Sequence, residues 1–431
     1  MRTHRFEPIA LTALVAVLAA GCGGGGSDAG SYALAGTVSG LSTNGLVLAN
    51  GTDTKSVASG ATSFTFDTAV SGSYAVTVKN QPVGQTCSVA NGSGTATADV
   101  TSVAVTCRGY IAYVTNAGSS NITTFGVDAT SGALSVRTTV STAYPPTQIA
   151  VSASGLYAYT AHQDDRAVSA FGIAADGSLS LLGRTNAVSE SRGLAVSPGG
   201  DAVYVANYTD KSLSQFSVGS TGMLTALSTA TIDAQSTPYA VAVSPNGQYA
   251  YVVNAGSDTI SQYSIGSGGA LTALTQSAVS TSATGTTPIA LAVDASSSHV
   301  YAVLADSAKV LQYSIGSTGA LTAMSPASVS TGTTPRGIAV TPNCAFVANR
   351  GDGTVTPYII ASGSLTPLAS GAVAAGTNPT AVAVSPNSAF VYVVNAGSAT
   401  VSQYSVDAAC GLTAVATIAA GGASPGSIAV R

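Results

Sequence analysis

Charged side chains are scarce in this chain, and those able to do chemistry occur in a few short segments. Only 7% of its 431 residues are charged, and the formal net charge is −4. An arginine guanidinium can bind a carboxylate or phosphate through paired hydrogen bonds, and a histidine near its ordinary pKa can act as a general base on water. We therefore take His162 as the candidate catalytic residue. The candidate ligand-binding residues are Asp164, Glu190, Arg192, Arg336 and Arg350.

The elements that must position these residues come from a repeat that fills the chain from about Tyr110 to its last residue. Each copy reads as an alternating strand, a polar turn, a second strand, and then a proline before another alternating strand. The last residue of the first strand lies at equivalent positions in the seven copies, 45 to 50 residues apart. These residues are Asn116, His162, Asn207, Asn254, Leu304, Asn349 and Asn395. That period is typical of four-stranded propeller blades. We predict an all-β chain with a seven-bladed β-propeller over residues 109–431.

The two ends of the repeat predict how the ring closes. The first copy begins at the second strand of a blade, and the chain ends after Ser427-Ile428-Ala429-Val430, which reads as a first strand without its successors. The C-terminal strand should therefore complete the N-terminal blade and remove an open sheet edge. In this strand order, the first strand of every blade begins at one face of the propeller. The turns after the second strands lie at the same face. We place any ligand site there, at the mouth of the channel.

The N-terminal segment predicts export and lipidation. Residues 1–21 have basic side chains ahead of a twelve-residue apolar run, which is too short to span a bilayer and has the layout of a secretory signal. Cys22 follows Leu-Ala-Ala-Gly, which resembles a bacterial lipobox, so we expect a lipidated cysteine and a Gly-rich tether over residues 22–30. The alternative is an ordinary signal with a stray cysteine. No aspartate follows Cys22, which favours an outer-membrane lipoprotein that faces the periplasm or the cell surface.

Residues 31–108 read as a separate small β-sandwich that precedes the propeller and serves as a spacer. Turn residues separate five strand-like runs, which are Leu34 to Val38, Gly45 to Leu48, Ser63 to Phe66, Tyr74 to Val78 and Val100 to Val105.

The remaining four cysteines can pair in three ways, or stay as buried free thiols. Their local layout favours Cys87 with Cys107. In the predicted strand order, Cys344 lies at a turn of one blade and Cys410 at a turn on the same face of the next blade, which favours the second pair.

Several other classes of partner have no support in the sequence. The 14 lysines and arginines are scattered, whereas nucleic-acid binding requires a clustered basic surface. After the signal, the histidines His162 and His299 fall on opposite faces of the predicted propeller, so we expect no metal site. No glycine loop precedes a helix in the manner of a phosphate-binding motif, and we expect no cofactor.

The repeat resembles a known family in its strand motifs. Tyr113-Val114-Thr115-Asn116, Val203-Tyr204-Val205-Ala206-Asn207 and Ala242-Val243-Ser244-Pro245 are similar to the YVTN seven-bladed propellers and to the wider lactonase-like group related to 6-phosphogluconolactonase. The resemblance covers residues 110–431 and implies the propeller fold. It carries no catalytic residues across, because the matching motifs belong to the blade scaffold.

Two functional hypotheses follow, with a purely structural or adhesive envelope protein as a third. The first is a monomeric, lipid-anchored binding platform for an envelope protein or glycan, attached to the membrane only through its lipid. The alternative is a lactonase-like hydrolase in which His162 and the arginines act on an anionic sugar acid or lactone. The recurring asparagines and aspartates also have a structural interpretation, because such residues often cap turns and strand ends.

Overall fold

The computed structural model describes residues 30–162, 165–187 and 190–431. Regular structure in these ranges is almost wholly β, apart from a short 3₁₀ helix at Ala117–Ser119. None of the described helices is long and apolar enough to cross a membrane. The predicted signal, Cys22 and the tether up to residue 29 lie outside the described residues.

The N-terminal module is a sandwich of two four-stranded sheets, with strand orders β4-β1-β8-β6 and β3-β2-β5-β7. Its strands are β1 Leu34–Ser39, β2 Leu46–Asn50, β3 Asp53–Val57, β4 Ser63–Thr65, β5 Gly72–Asn80, β6 Gln85–Ala90, β7 Ser93–Ala96 and β8 Val100–Gly109. The sandwich prediction is confirmed, but β3, β6 and β7 were not predicted as strands. All three are edge strands that bury little more than alternate side chains, so their sequences are mostly polar.

The described residues of the propeller form 29 strands. They are β9 Ile111–Asn116, β10 Asn121–Val127, β11 Leu134–Ser141, β12 Pro146–Val151, β13 Tyr157–His162, β14 Ala167–Ile173, β15 Leu179–Asn186, β16 Ser191–Val196, β17 Ala202–Asn207, β18 Ser212–Val218, β19 Leu224–Asp233, β20 Pro238–Val243, β21 Tyr249–Asn254, β22 Thr259–Ile265, β23 Leu271–Ser280, β24 Pro288–Val293, β25 His299–Leu304, β26 Lys309–Ile315, β27 Leu321–Ser330, β28 Pro335–Val340, β29 Cys344–Asn349, β30 Thr354–Ala361, β31 Ser364–Pro367, β32 Val373–Ala374, β33 Pro379–Val384, β34 Phe390–Asn395, β35 Thr400–Val406, β36 Leu412–Ala419 and β37 Pro425–Val430.

These strands form seven antiparallel sheets, and each sheet is one blade. We call the strands of a blade A, B, C and D from the channel outwards, and number the blades in chain order from the one that contains β9. Its sheet has the order β11-β10-β9-β37, so the C-terminal strand is its A strand. Ile428 lies opposite Val114, and Arg431 and Ile111 exchange two backbone hydrogen bonds of 3.0 Å. The predicted ring closure is confirmed.

A buried aromatic residue on each B strand fills the space between neighbouring blades. In six blades it is a tyrosine whose hydroxyl donates to a glycine carbonyl in the C–D turn of the next blade, at 2.6 to 3.0 Å. The pairs are Tyr113 with Gly177, Tyr159 with Gly222, Tyr204 with Gly269, Tyr251 with Gly319, Tyr301 with Gly363, and Tyr392 with Gly132. Each pair satisfies a buried phenol and joins two sheets.

The sixth blade departs from this pattern and carries a covalent link instead. Its B-strand aromatic is Phe346, which has no hydroxyl, and Cys410 occupies the C–D turn position that glycine holds in the other blades. Cys344 of the sixth blade is bonded to Cys410 of the seventh. The second disulfide joins Cys87 to Cys107 on β6 and β8 of the module. Both pairs are those that the sequence favours.

Candidate functional site

The second residue of every A strand lines one cavity of about 410 Å³ at the channel mouth. A proline precedes it in six blades and Ser191 in the third, and this first residue pairs with the last residue of the B strand. The second residues, in blade order, are Gly426, Thr147, Arg192, Tyr239, Ile289, Arg336 and Thr380. Because the backbone scaffold repeats and these side chains do not, this position sets the chemistry of the mouth.

Two arginines of the sixth blade carry positive charge at this mouth. Arg336 is partly exposed and occupies the second position of β28, and Arg350 follows β29 and is exposed. Neither takes part in any of the ion pairs between described residues. The buried Nε of Arg336 has no hydrogen-bond partner among these residues. Asp352 lies two residues beyond Arg350, but its carboxylate accepts hydrogen bonds from the backbone and hydroxyl of Thr333, which lower its pKa.

Arg192 is in the third blade, three places from Arg336 in the ring, so the two approach the channel from nearly opposite sides. Its Nη2 donates to Glu190 Oε1 at 2.8 Å, and its guanidinium lies 5.0 Å from the ring centre of Tyr208. Tyr208 in turn meets Tyr239 edge-on, with ring centres 6.3 Å apart. Glu190 and the aromatic pair therefore hold the Arg192 guanidinium at the rim.

The rest of the cavity wall is uncharged. Thr147 and Thr380 direct their hydroxyls to carbonyl oxygens of their own and the following blade, among them Ser191 and Pro425, so these hydroxyls join blades. Ile289 is buried and apolar. The described residues that line the cavity include arginines but no carboxylate and no histidine. A ligand in this cavity would meet the guanidinium groups of Arg336 and Arg350 on one side and the Arg192–Glu190 ion pair on the other. Guanidinium donors suit a carboxylate, a phosphate or a carbonyl oxygen that gains negative charge.

His162 does not reach this cavity. It is fully buried at the end of β13, where its Nε2 lies 2.8 Å from Ser169 Oγ and its Nδ1 lies 3.1 Å from the Tyr144 carbonyl oxygen. Desolvation by burial lowers the pKa of the imidazole, so it is neutral at pH 7. A buried ring with both nitrogens engaged cannot take a proton from a water molecule in the channel. The structure therefore does not support the predicted general base.

The same place in other blades explains why a histidine is accommodated there. The asparagine at the end of the B strand donates from Nδ2 to a hydroxyl seven residues later on the C strand, at 2.8 to 3.0 Å. His162 and Ser169 have the same spacing and the same contact. The imidazole thus replaces the amide as the partner of a buried hydroxyl, which is a structural function.

Of the remaining predicted residues, the structure brings Arg192, Arg336 and Arg350 to one cavity and places Glu190 against Arg192. Asp164 lies outside the described residues. The neighbouring Asp165 forms an ion pair with Arg184, whose guanidinium lies 4.7 Å from the Tyr144 ring centre.

Sequence reasoning did not identify Tyr208, Tyr239 or Ile289 at the mouth. For two of them the sequence does contain a signal. Tyr239 and Ile289 directly follow the proline that opens an A strand, which is the position that lines the cavity. For a metal ion, the described residues offer no group of three or more histidine, cysteine, aspartate or glutamate side chains.

Comparison with known proteins gives a family and a set of structural neighbours. The profile of the family described as "Lactonase, 7-bladed beta-propeller" matches residues 108–430. Among curated proteins, none matches the sequence.

Solved structures share the fold at low sequence identity. A candidate 6-phosphogluconolactonase from Bacteroides fragilis superposes with a TM-score of 0.67 at 21% identity, covering 75% of this chain and 98% of its own. A periplasmic gluconolactonase from Pseudomonas aeruginosa gives a TM-score of 0.66 at 19% identity, covering 74% and 98%. A protein from Lactobacillus plantarum gives 0.66 at 20% identity, covering 75% and 99%.

Proposed function

Because this chain belongs to the lactonase family of seven-bladed β-propellers, we propose that its channel mouth binds and hydrolyses a sugar lactone. One observation carries the proposal. Arg336 and Arg350 line a 410 Å³ cavity without a carboxylate partner among the described residues, and Arg192 faces them from the far side. The gluconolactonase and candidate 6-phosphogluconolactonase among the structural neighbours support this reading over a platform without catalysis.

The arginines suit both the reaction and its product. In lactone hydrolysis, the oxygen of water bonds to the carbonyl carbon, the ring C–O bond breaks, the ring oxygen leaves as a hydroxyl, and the acid formed releases one proton. Negative charge develops on the carbonyl oxygen before the ring opens, and a guanidinium that points at this oxygen stabilises it. The product is an aldonate, whose carboxylate matches the fork of an arginine.

Within this proposal, Glu190 is a positioning residue, because it contacts Arg192 rather than the cavity. The described wall holds no histidine or carboxylate that could act as a general base, so the arginines would act on water or hydroxide that attacks from solvent. We therefore expect the enzymatic rate to rise with pH without an inflection near the ordinary pKa of histidine.

The test compares three proteins on δ-gluconolactone, measured by proton release with the spontaneous rate subtracted. Arg336→Met removes one charged hydrogen-bond donor from the mouth and should lower kcat/KM about 10- to 150-fold. Arg137→Met is the matched control, because Arg137 is exposed on the outer strand β11 and donates to the Asp176 carbonyl oxygen. Equal rates in the wild type and Arg336→Met would refute the proposed function.

The absence of a base from the described wall favours a second candidate, a site that binds a sugar acid or an envelope glycan without turnover. Calorimetric titration with gluconate separates the two candidates. Binding that depends on Arg336, with hydrolysis at the spontaneous rate, supports the binding platform alone.

In either case we propose that a lipid on Cys22 holds the propeller at the bacterial outer membrane. Cys22→Ala should release it from the membrane fraction, and retention there would contradict the anchor.

A further inference from the structure

A second cavity lies at the opposite face of the propeller, where the A strands end and the N-terminal module begins. Its volume is about 270 Å³. The module contributes the last part of β8 and hydroxyl side chains of β6, and the propeller contributes the turn after β12 and the end of β37. A backbone hydrogen bond from Tyr110 to the Gly84 carbonyl oxygen, at 3.3 Å, also joins the module to the propeller. Anything bound here would touch both domains.

Two arginines line this junction cavity, one from each domain. Arg108 is the residue before the end of β8, and Arg431 directly follows β37. Both are partly exposed, and neither belongs to any of the ion pairs between described residues. Arg108 donates from Nη1 to the Ala174 carbonyl oxygen at 3.2 Å, and Arg431 donates from Nε to the Tyr113 hydroxyl at 3.4 Å. Both hydrogen bonds therefore go to neutral acceptors rather than to a carboxylate side chain.

Two features around Arg431 concern its guanidinium: one nitrogen without a hydrogen-bond partner among the described residues, and a neighbouring glycine that leaves room for it. Its Nη2 is buried and has no hydrogen-bond partner among the described residues. Gly155 allows the close approach of the guanidinium, because a Cβ on this glycine would stand 3.0 Å from Arg431 Nη1. Gly155 also has φ of +65°, so a larger side chain is disfavoured on both counts.

The nearby Arg431 guanidinium makes the charged form of Arg108 less favourable. Burial lowers the pKa of Arg108, and the positive charge of Arg431 lowers it further. Two like charges held near each other in a half-buried cavity are stabilised by an anion between them. Hydroxyl groups of Thr106 on β8 and of Ser152 and Ser154 after β12 line the same cavity and can donate to oxygen atoms.

We propose that this junction is a binding site for a small soluble oxyanion, such as a phosphate or carboxylate group, held by Arg108 and Arg431. An anion there would join the module to the propeller, since its two cationic ligands come from different domains. The site is separate from the channel mouth, which lies at the other end of the A strands. It therefore does not depend on the proposed lactone chemistry.

The experiment titrates the protein with inorganic phosphate, and in a second arm with acetate, by calorimetry and thermal unfolding in a non-binding buffer. The variants are Arg431→Met and Arg108→Met, which keep much of the side-chain length and remove the charge. Lys79→Met is the control, because Lys79 is exposed on β5 and lines neither cavity. Arg336→Met is added to detect any anion binding at the channel mouth. The melting temperatures without anion check that each variant is folded.

In the wild type and in Lys79→Met, phosphate at 100 times its Kd should raise the melting temperature by about 3 °C. Either junction variant should weaken binding at least about 10-fold. An acetate response with the same dependence would assign the site to single carboxylates as well as phosphate. No binding of either anion to the wild type, or binding lost in Arg336→Met but kept in both junction variants, would overturn the proposal. Loss of lactone hydrolysis in Arg336→Met alone bears only on the channel mouth.

Discussion

Two substitutions at His162 separate a structural histidine from a catalytic one. His162→Asn installs the residue that the same place holds in five other blades, where the amide reaches a hydroxyl at 2.8 to 3.0 Å. The variant should keep the hydrogen bond to Ser169 and lose the one to the Tyr144 carbonyl oxygen, which belongs to an exposed residue and can accept from water. We expect it to unfold within about 1 kcal/mol of the wild type.

His162→Ala should be far more costly. It removes the contacts of the imidazole with Ser169, Thr160 and the Tyr144 carbonyl oxygen, and it opens a void where a fully buried ring stood. The buried Ser169 hydroxyl then lacks its imidazole partner. An unsatisfied buried polar group costs about 1–3 kcal/mol, and large-to-small substitutions in a core cost about 2–5 kcal/mol. The two costs overlap, so we expect a loss of about 3–5 kcal/mol and a melting temperature lower by about 5 °C.

The assay pairs thermal unfolding with gluconate binding and lactone hydrolysis on the same preparations. If His162 is structural, His162→Asn should match the wild type in both activities. The folded fraction of His162→Ala should also keep both activities, because neither ring nitrogen faces the cavity. If His162→Asn folds normally but loses hydrolysis, the imidazole takes part in the reaction and the structural assignment is refuted.

Three further predictions concern stability. The folded state lowers the pKa of His162, so below pH 6.5 the unfolded state binds more protons and stability falls with falling pH; urea unfolding at pH 7 and pH 5 should show this loss, and His162→Asn should reduce it. The double change Cys344→Ser with Cys410→Ser opens a link between residues 66 apart and should lower the unfolding free energy by about 4 kcal/mol, measured by calorimetry. Deletion of residues 427–431 leaves β9 as an open edge, so size-exclusion chromatography should show aggregation, and a monomer with an unchanged melting temperature would contradict the closure.

The fold was predictable because its determinants repeat. Most B strands carry a tyrosine and end in asparagine, and most A strands open with proline, at steps of 45 to 50 residues. These residues are tied to backbone or hydroxyl groups that also recur. Departures from the repeat were harder to interpret. Phe346 and Cys410 together mark the one blade pair where a disulfide replaces the tyrosine hydroxyl bond.

The site was only partly predictable, because a departure from a repeat does not say which way a side chain points. His162 and Arg336 are both departures, but the end of a B strand faces a buried C-strand hydroxyl, whereas the second residue of an A strand faces the channel. The sequence alone does not show which of the two side chains faces the channel. The register of β12 against β13 and of β28 against β29 shows it. In a propeller of this kind, the residue after the A-strand proline is therefore the place to look for chemistry. Here that position offers arginine twice, which is why the mouth favours an anion or a developing oxyanion over a metal or a base.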